Sequence, residues 1–287
     1  MKDALIVSLL SVVPKSPTAR MMGRFTRLRL PRTFHRMLVG WFVRKYKVNL
    51  DECQGGIDDF PSLARFFIRE LRPGVRPIDP DPDILTSPVD GRVHTFGRIE
   101  GGKFLQAEGM FGSVARLLGD GDSRLPADAS FLASRYEGGS FAIIYLSPQD
   151  YHRVHSPREG TLAAWRYLPG QLWPVFPAAT RKIDGLFDKN ERLVFILDTS
   201  LGKVAVAMIG AFGVGRMSTD LANVTTNTRK VAEEEILDAP RPIARGGELG
   251  RFEMGSTVVL LAEPGALDWT LERGAVVRLG RPIATKR

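Results

Sequence analysis

Only one cysteine, Cys53, occurs among the 287 residues. That excludes an intrachain disulfide framework and a metal cluster built from several thiolates, and it permits a reducing compartment. Histidine is nearly as scarce, with His35, His94, His152 and His155 the full set. No apolar run reaches the roughly twenty residues of a membrane-crossing helix. The first such run, residues 4–13, is broken by two serines and stopped by Pro14. Lys2 and that run have the outline of a signal peptide, but Asp3 and the lack of a clean small-x-small site count against one. Acidic residues are almost missing from the start. Residues 1–50 hold eleven Lys/Arg against Asp3 alone, a net of +10, so the rest carries −2 of the chain's +8. A total charge that would suit nucleic acid is thus confined to one segment. The body has no RNA-binding or zinc-finger signature, and nucleic acid is not expected as a partner.

What that segment does contain is amphipathic. Arg20, Arg24, Arg27, Arg29 and Arg32 interleave with Met21, Met22, Phe25, Leu28 and Leu30. From Thr33 the spacing predicts a helix whose apolar side carries Phe34, Met37, Leu38, Trp41, Phe42 and Tyr46, with Arg36, Arg44, Lys45 and Lys47 at its margins. Basic helices with aromatic residues on the apolar side suit a membrane interface rich in anionic lipid. The competing reading is a helix that caps the core with its charges in solvent. Residues 60–71 predict a short helix with Ser62 as N-cap, ended by the Pro-rich connector 73–82. Residues 1–60 therefore read as a membrane-associating helical segment and 61–287 as the catalytic domain.

Beyond the connector the period shortens. Strand-length apolar runs occur at 141–146, 193–197, 204–209, 258–262 and 275–279, bounded by Gly, Pro, Asp or Ser. With 29 glycines and 19 prolines the chain is rich in turns. The expected fold is α+β, an antiparallel β-rich core of sandwich or barrel type with N-terminal amphipathic helices. Residues 110–118 read as the one clear helix of this half. Residues 213–254, polar and poorly periodic, read largely as a long loop.

Three places could carry chemistry. Gly255-Ser256-Thr257 sits on the lip of the run 258–262, so a serine hydroxyl stands where a strand begins, after a glycine carbonyl that no side chain shields. By itself that is a turn motif. His152 and His155 lie between Pro148 and Pro157 in what reads as a loop. A pair three apart converges on a metal only on a helix, so no metal site is assigned. Asp90-Gly91 between short strands is a hairpin signal. Taken together, an Asp, a His and a Ser beside strands could deprotonate a hydroxyl, the carboxylate fixing the imidazole tautomer.

Six blocks, in this order, resemble the phosphatidylserine decarboxylase family of bacterial membranes. They are F-F-I-R-E-L-R-P at 66–73, R-P-I-D at 76–79, S-P-V-D-G at 87–91, Y-L-S-P with D-Y-H-R-V-H at 145–155, N-E-R at 190–192 and G-R-F-x-x-G-S-T at 250–257. The resemblance covers nearly the whole chain. Met254 stands where the family more often has Leu, and residues 110–114 depart from the family pattern.

The resemblance implies a proenzyme that cuts itself between Gly255 and Ser256, giving a β chain of 1–255 and an α chain of 256–287. It implies Asp90 and His155 as the dyad that activates Ser256, and a covalent pyruvoyl group, derived from Ser256, as the only cofactor. That group condenses with the amine of phosphatidylserine and accepts the electrons freed with carbon dioxide, leaving phosphatidylethanolamine. His152 is assigned to the substrate carboxylate or to proton handling. Peripheral attachment to the cytoplasmic face of the cell membrane and a homodimer are further implications. A serine hydrolase acting on lipids with Ser256, His155 and Asp90 is the alternative, although the G-x-S-x-G elbow is missing. A non-catalytic membrane-binding protein is the third reading.

Overall fold

The computed structural model describes residues 15–125, 132–212, 216–228, 231–253 and 257–287. Its middle is the strand Thr257–Ala262, all six residues of which are buried. Val258, Leu260 and Ala262 face one apolar cluster, Val259 and Leu261 another. The flanking strands divide the same way: Val204, Val206 and Met208 against Ala205, Ala207 and Ile209, then Ala142 and Ile144 against Phe141 and Ile143. Successive side chains point to opposite faces of a strand, and here both faces are covered. These segments therefore read as unbroken apolar runs.

Eight strands form this sheet, in the spatial order Glu233–Ile243, Gly160–Leu168, Arg192–Thr199, Gly202–Ile209, Thr257–Ala262, Ser140–Tyr145, Gly91–Arg98 and Val276–Val277. Every neighbouring pair is antiparallel. One face is covered by two small sheets. The first orders Val224–Thr225, Met217–Thr219, Glu248–Phe252 and Arg153–His155, and the second Ile84–Thr86, Pro282–Lys286 and Leu267–Trp269. Val154, Leu249, Phe252 and Ile283 join them to the first cluster. The other face is covered by the short helices Val114–Leu118 and Leu186–Lys189, whose Leu117, Leu118, Leu186 and Phe187 are buried in the second cluster. The class is α+β with an antiparallel β-rich core.

Several local expectations change. Residues 213–254 are not mainly loop: four strands lie there, at 217–219, 224–225, 233–243 and 248–252. The longest, Glu233–Ile243, is an edge strand, which tolerates its two prolines. Its acidic start is paired, Glu234 with the buried Arg166 and Glu235 with the Trp165 indole at 2.7 Å. Residues 110–113 form a strand with 103–107, and only Val114–Leu118 is helical. Asp90-Gly91 is not a hairpin either. The strand before it pairs with Pro282–Lys286 and the strand after it with Ser140–Tyr145, so the turn crosses between sheets.

Among the described residues the N-terminal helices are Lys15–Thr26 and Arg32–Tyr46. The second does not carry its apolar residues on one side. His35, Val39 and Phe42 are buried, the two apolar residues against Leu63, Phe66 and Phe67, whereas Phe34, Met37 and Trp41 are 58%, 62% and 47% exposed. Met21, Met22 and Phe25 of the first helix are exposed as well. Among the described residues no helix is long and apolar enough to cross a membrane.

Candidate active site

The turn 87–91 is built to present Asp90. The Ser87 hydroxyl donates to the Val89 carbonyl at 2.7 Å, and the strand that follows starts at Gly91, where a Cβ would lie 2.6 Å from the Tyr145 carbonyl oxygen. Only glycine allows the turn to approach that closely. The Asp90 carboxylate is buried and fully occupied. Arg76 donates through Nε at 2.9 Å and Nη2 at 2.6 Å, Arg278 through Nη1 at 3.0 Å, and the Leu279 amide at 2.9 Å. Burial disfavours its charge, but Arg76, the Leu279 amide and Arg278 outweigh that, so Asp90 stays an anion with its pKa below the usual carboxylate value.

His152 and His155 bracket the strand Arg153–His155 rather than a loop. An odd offset on a strand sends the two side chains to opposite faces. His155 is stacked on Tyr151 with ring centroids 5.6 Å apart. Its Nδ1 lies 2.8 Å from the Gly246 carbonyl, which can only accept, so Nδ1 carries the proton and Nε2 the lone pair. The Tyr151 hydroxyl, at 3.2 Å, donates to that Nε2. His152 repeats the arrangement in a drier place. It is fully buried against Phe67, ring centroids 4.0 Å apart, with Nδ1 donating to the Asp150 carbonyl at 2.8 Å and Nε2 without a partner among the described residues. Burial lowers its pKa to about 3, helped by the nearby Arg69 guanidinium. Burial also lowers the pKa of His155, against the pull of its Gly246 hydrogen bond. Both rings are thus neutral bases with the lone pair on Nε2.

Asp90 and His155 are neighbours but not hydrogen-bonded. The His155 amide donates to the Pro88 carbonyl at 2.9 Å, which ties its strand to the Asp90 turn. The tautomer of His155 is fixed by Gly246, where a carboxylate was expected, because the Asp90 oxygens are taken by arginine.

Met254, Gly255 and Ser256 lie outside the described residues, and the strands on both sides of them are paired. Gly250 and Arg251 pair with Val154 and Arg153, and the Phe252 amide donates to the His152 carbonyl at 2.9 Å. Thr257 is buried between Tyr145 and Ile209. Tyr145 pairs on its other side with Arg92, two residues after Asp90.

Arg76, Arg278, Tyr151 and Arg69 gather at this end of the fold without having been singled out from sequence. Arg76 had a signal, a lone arginine in the R-P-I-D block after a Pro-rich connector, and it also pairs with Glu52 at 2.7 Å. Arg278, just past the strand Val276–Val277 and 188 positions from Asp90, had none. Arg69 donates through Nη2 to the Gln149 and Asp150 carbonyls, at 2.9 and 3.3 Å, beneath the histidine strand. The remaining blocks are structural: Asn190 closes on Trp173 and Gly210, and the Arg192 guanidinium donates to the Leu117 and Asn190 carbonyls.

The model of the phosphatidylserine decarboxylase family matches residues 63–285. Among curated proteins, the chain is 42% identical over 285 residues to the phosphatidylserine decarboxylase proenzyme of Myxococcus xanthus, with 99% of each chain covered. It is 44% identical over 288 residues to that of Anaeromyxobacter sp. strain K, again with 99% of each covered. To that of Brevibacillus brevis it is 38% identical over 292 residues, with both chains covered in full.

Proposed function

This chain belongs to the phosphatidylserine decarboxylase family, and on that premise we propose that it cuts itself between Gly255 and Ser256 and decarboxylates phosphatidylserine with the pyruvoyl group so formed. The strand register supports this reading. Phe252, bonded to His152, and Thr257, beside Tyr145, flank the scissile pair at the end of the fold that carries Asp90 and both histidines.

In the self-cleavage, His155 Nε2 takes the proton of the Ser256 hydroxyl, and the oxygen attacks the Gly255 carbonyl. The C–N bond breaks, leaving an ester, and its carboxylate departs by β-elimination as the C-terminus of residues 1–255. One water then replaces the nitrogen, which leaves as ammonia. Asp90 does not touch the imidazole in this state. Its fixed negative charge favours the imidazolium through space, and its turn holds the His155 backbone.

The pyruvoyl ketone supplies an electron sink for the pair released with carbon dioxide. The neighbourhood fits such a group, since the His152 Nε2 is buried and, among the described residues, without a partner. Its lone pair repels a carboxylate and accepts a proton, so of the two roles considered for His152 this state supports proton handling. Phe67 covers the ring and keeps water from it.

The exposed Met21, Met22, Phe25, Phe34, Met37 and Trp41, set among arginines, support attachment to an anionic membrane surface; the cytoplasmic side is part of the same proposal. The test of the reaction is direct. Ser256→Ala stays uncut on a denaturing gel and releases no carbon dioxide from phosphatidylserine, whereas a cut or active Ser256→Ala chain overturns the mechanism.

A further inference from the structure

Beside the scissile segment the structure holds a carboxylate between two arginines from distant parts of the chain. Glu253, the last described residue before that segment, accepts from Arg27 Nη1 at 2.9 Å through one oxygen and pairs with Arg216 Nε at 3.2 Å through the other. Its amide donates to the Arg216 carbonyl at 3.0 Å. Arg27 lies in the turn that ends the helix Lys15–Thr26, and Arg216 leads into the strand Met217–Thr219.

The trio stands where two cavities meet, of about 430 and 470 Å³, both lined by Arg27, Arg216 and Glu253. Arg20 and Arg24 line the first, and Arg29, Arg65 and Arg251 the second. Among the described lining residues, Asp220 and Glu253 are the acids set against these seven arginines. Among the described residues Arg24, Arg29 and Arg65 have no carboxylate partner. Arginines at 20, 24 and 27 follow a helical face that looks into the cleft, while Met21, Met22 and Phe25 of the same helix face outward. The helix is thus apolar away from the protein and basic toward the reactive segment.

We propose that this cleft binds the phosphodiester of the substrate headgroup, with Arg27 and Arg216 as the clamp and the Glu253 carboxylate holding the anion's place until lipid arrives. The inference rests on the proposed function for the identity of the substrate. Guanidinium pairs match the geometry of phosphate oxygens and give charge-assisted hydrogen bonds to them. Cavities of this size also suit a lipid headgroup. An arriving phosphate must displace Glu253, so removing that charge strengthens binding while removing either arginine weakens it.

The test is a calorimetric titration of the processed protein with dihexanoyl-phosphatidylserine, run beside inorganic phosphate. Arg27→Gln and Arg216→Gln are each expected to raise the dissociation constant for the lipid about tenfold or more. Glu253→Gln is expected to lower it several-fold, a gain that misfolding does not produce. Inorganic phosphate is expected to bind more weakly than the lipid and to lose affinity in the same two variants. Unchanged lipid affinity in both arginine variants, or weaker binding in Glu253→Gln, overturns the proposal. Phosphate binding as tightly as the lipid makes the cleft a free-phosphate site and overturns the lipid assignment. Arginine-dependent binding in a protein that releases no carbon dioxide keeps the headgroup site and removes the decarboxylase reading; normal turnover with unchanged affinities removes the clamp alone.

Discussion

The Phe252 amide donates to the carbonyl of His152 at 2.9 Å, so the strand that leads to Gly255 and Ser256 is registered on the histidine strand four residues before the serine. Both histidines hold their Nδ1 proton on a backbone carbonyl. Their lone pairs are set by the fold before any substrate arrives.

Replacing Asp90 tests the anion at the centre of the arginine cluster. Asp90→Asn keeps the shape but leaves Arg278 and one side of Arg76 facing a neutral amide. Breaking a buried pair in this way costs about 3–5 kcal/mol. The chain is expected to stay uncut on a gel and to melt at a lower temperature. Normal cutting in Asp90→Asn would remove its charge from the mechanism.

His155 and Tyr151 separate base from support. His155→Ala is expected to abolish cutting, because no other Nε2 lone pair lies at that position. Tyr151→Phe removes a donor to Nε2 and leaves the lone pair in place. Fragment appearance after synthesis, followed over time, should match wild type or exceed it in Tyr151→Phe. Loss of cutting there would assign the proton transfer to the tyrosine hydroxyl.

Acid should destabilise the fold through His152. Its pKa is about 3 in the fold against an ordinary 6.5, so the unfolded chain binds the extra proton between those values. Stability from this ring is complete above pH 6.5 and falls by about 1.4 kcal/mol per unit as pH drops toward 3. His155, also lowered, adds in the same sense. Asp150 and Glu191, whose pKa values burial raises, act in the opposite sense. The His152 part is therefore read as the difference in denaturant-unfolding slope against pH between wild type and His152→Asn. Equal slopes would place a charged ring at 152.

Strand by strand, legibility followed burial. Thr257–Ala262 and Gly202–Ile209 were readable because both faces are apolar, so no register had to be known. Glu233–Ile243 was not, since an edge strand with two prolines and three successive acids looks like solvent-exposed loop until Arg166 and Trp165 are seen to hold two of those acids. Within the site, Asp90 and the two histidines stood out through residue type and motif. The partners that decide their charge did not. Arg278 reaches Asp90 across 188 positions, and Gly246 takes the His155 proton with a carbonyl that every residue has. Helix periodicity found the second N-terminal helix but merged its two faces, because burial by Leu63, Phe66 and Phe67 leaves no mark on spacing.

The outward face of that helix is open to test. Phe34→Ser, Met37→Ser and Trp41→Ser combined remove apolar area that is about half or more exposed in the fold, so folding should be little affected. Co-sedimentation with phosphatidylserine-containing vesicles is expected to fall at least tenfold. Undiminished sedimentation would move membrane contact elsewhere.

The central claim is that Ser256 is consumed in making the active group, and intact-mass measurement under denaturing conditions reads it most directly. Active protein is expected to give two fragments, residues 1–255 with a free carboxylate at Gly255 and a smaller chain from position 256 bearing a pyruvoyl terminus that resists amine-directed sequencing. A single full-length species from protein that releases carbon dioxide from phosphatidylserine would contradict the account.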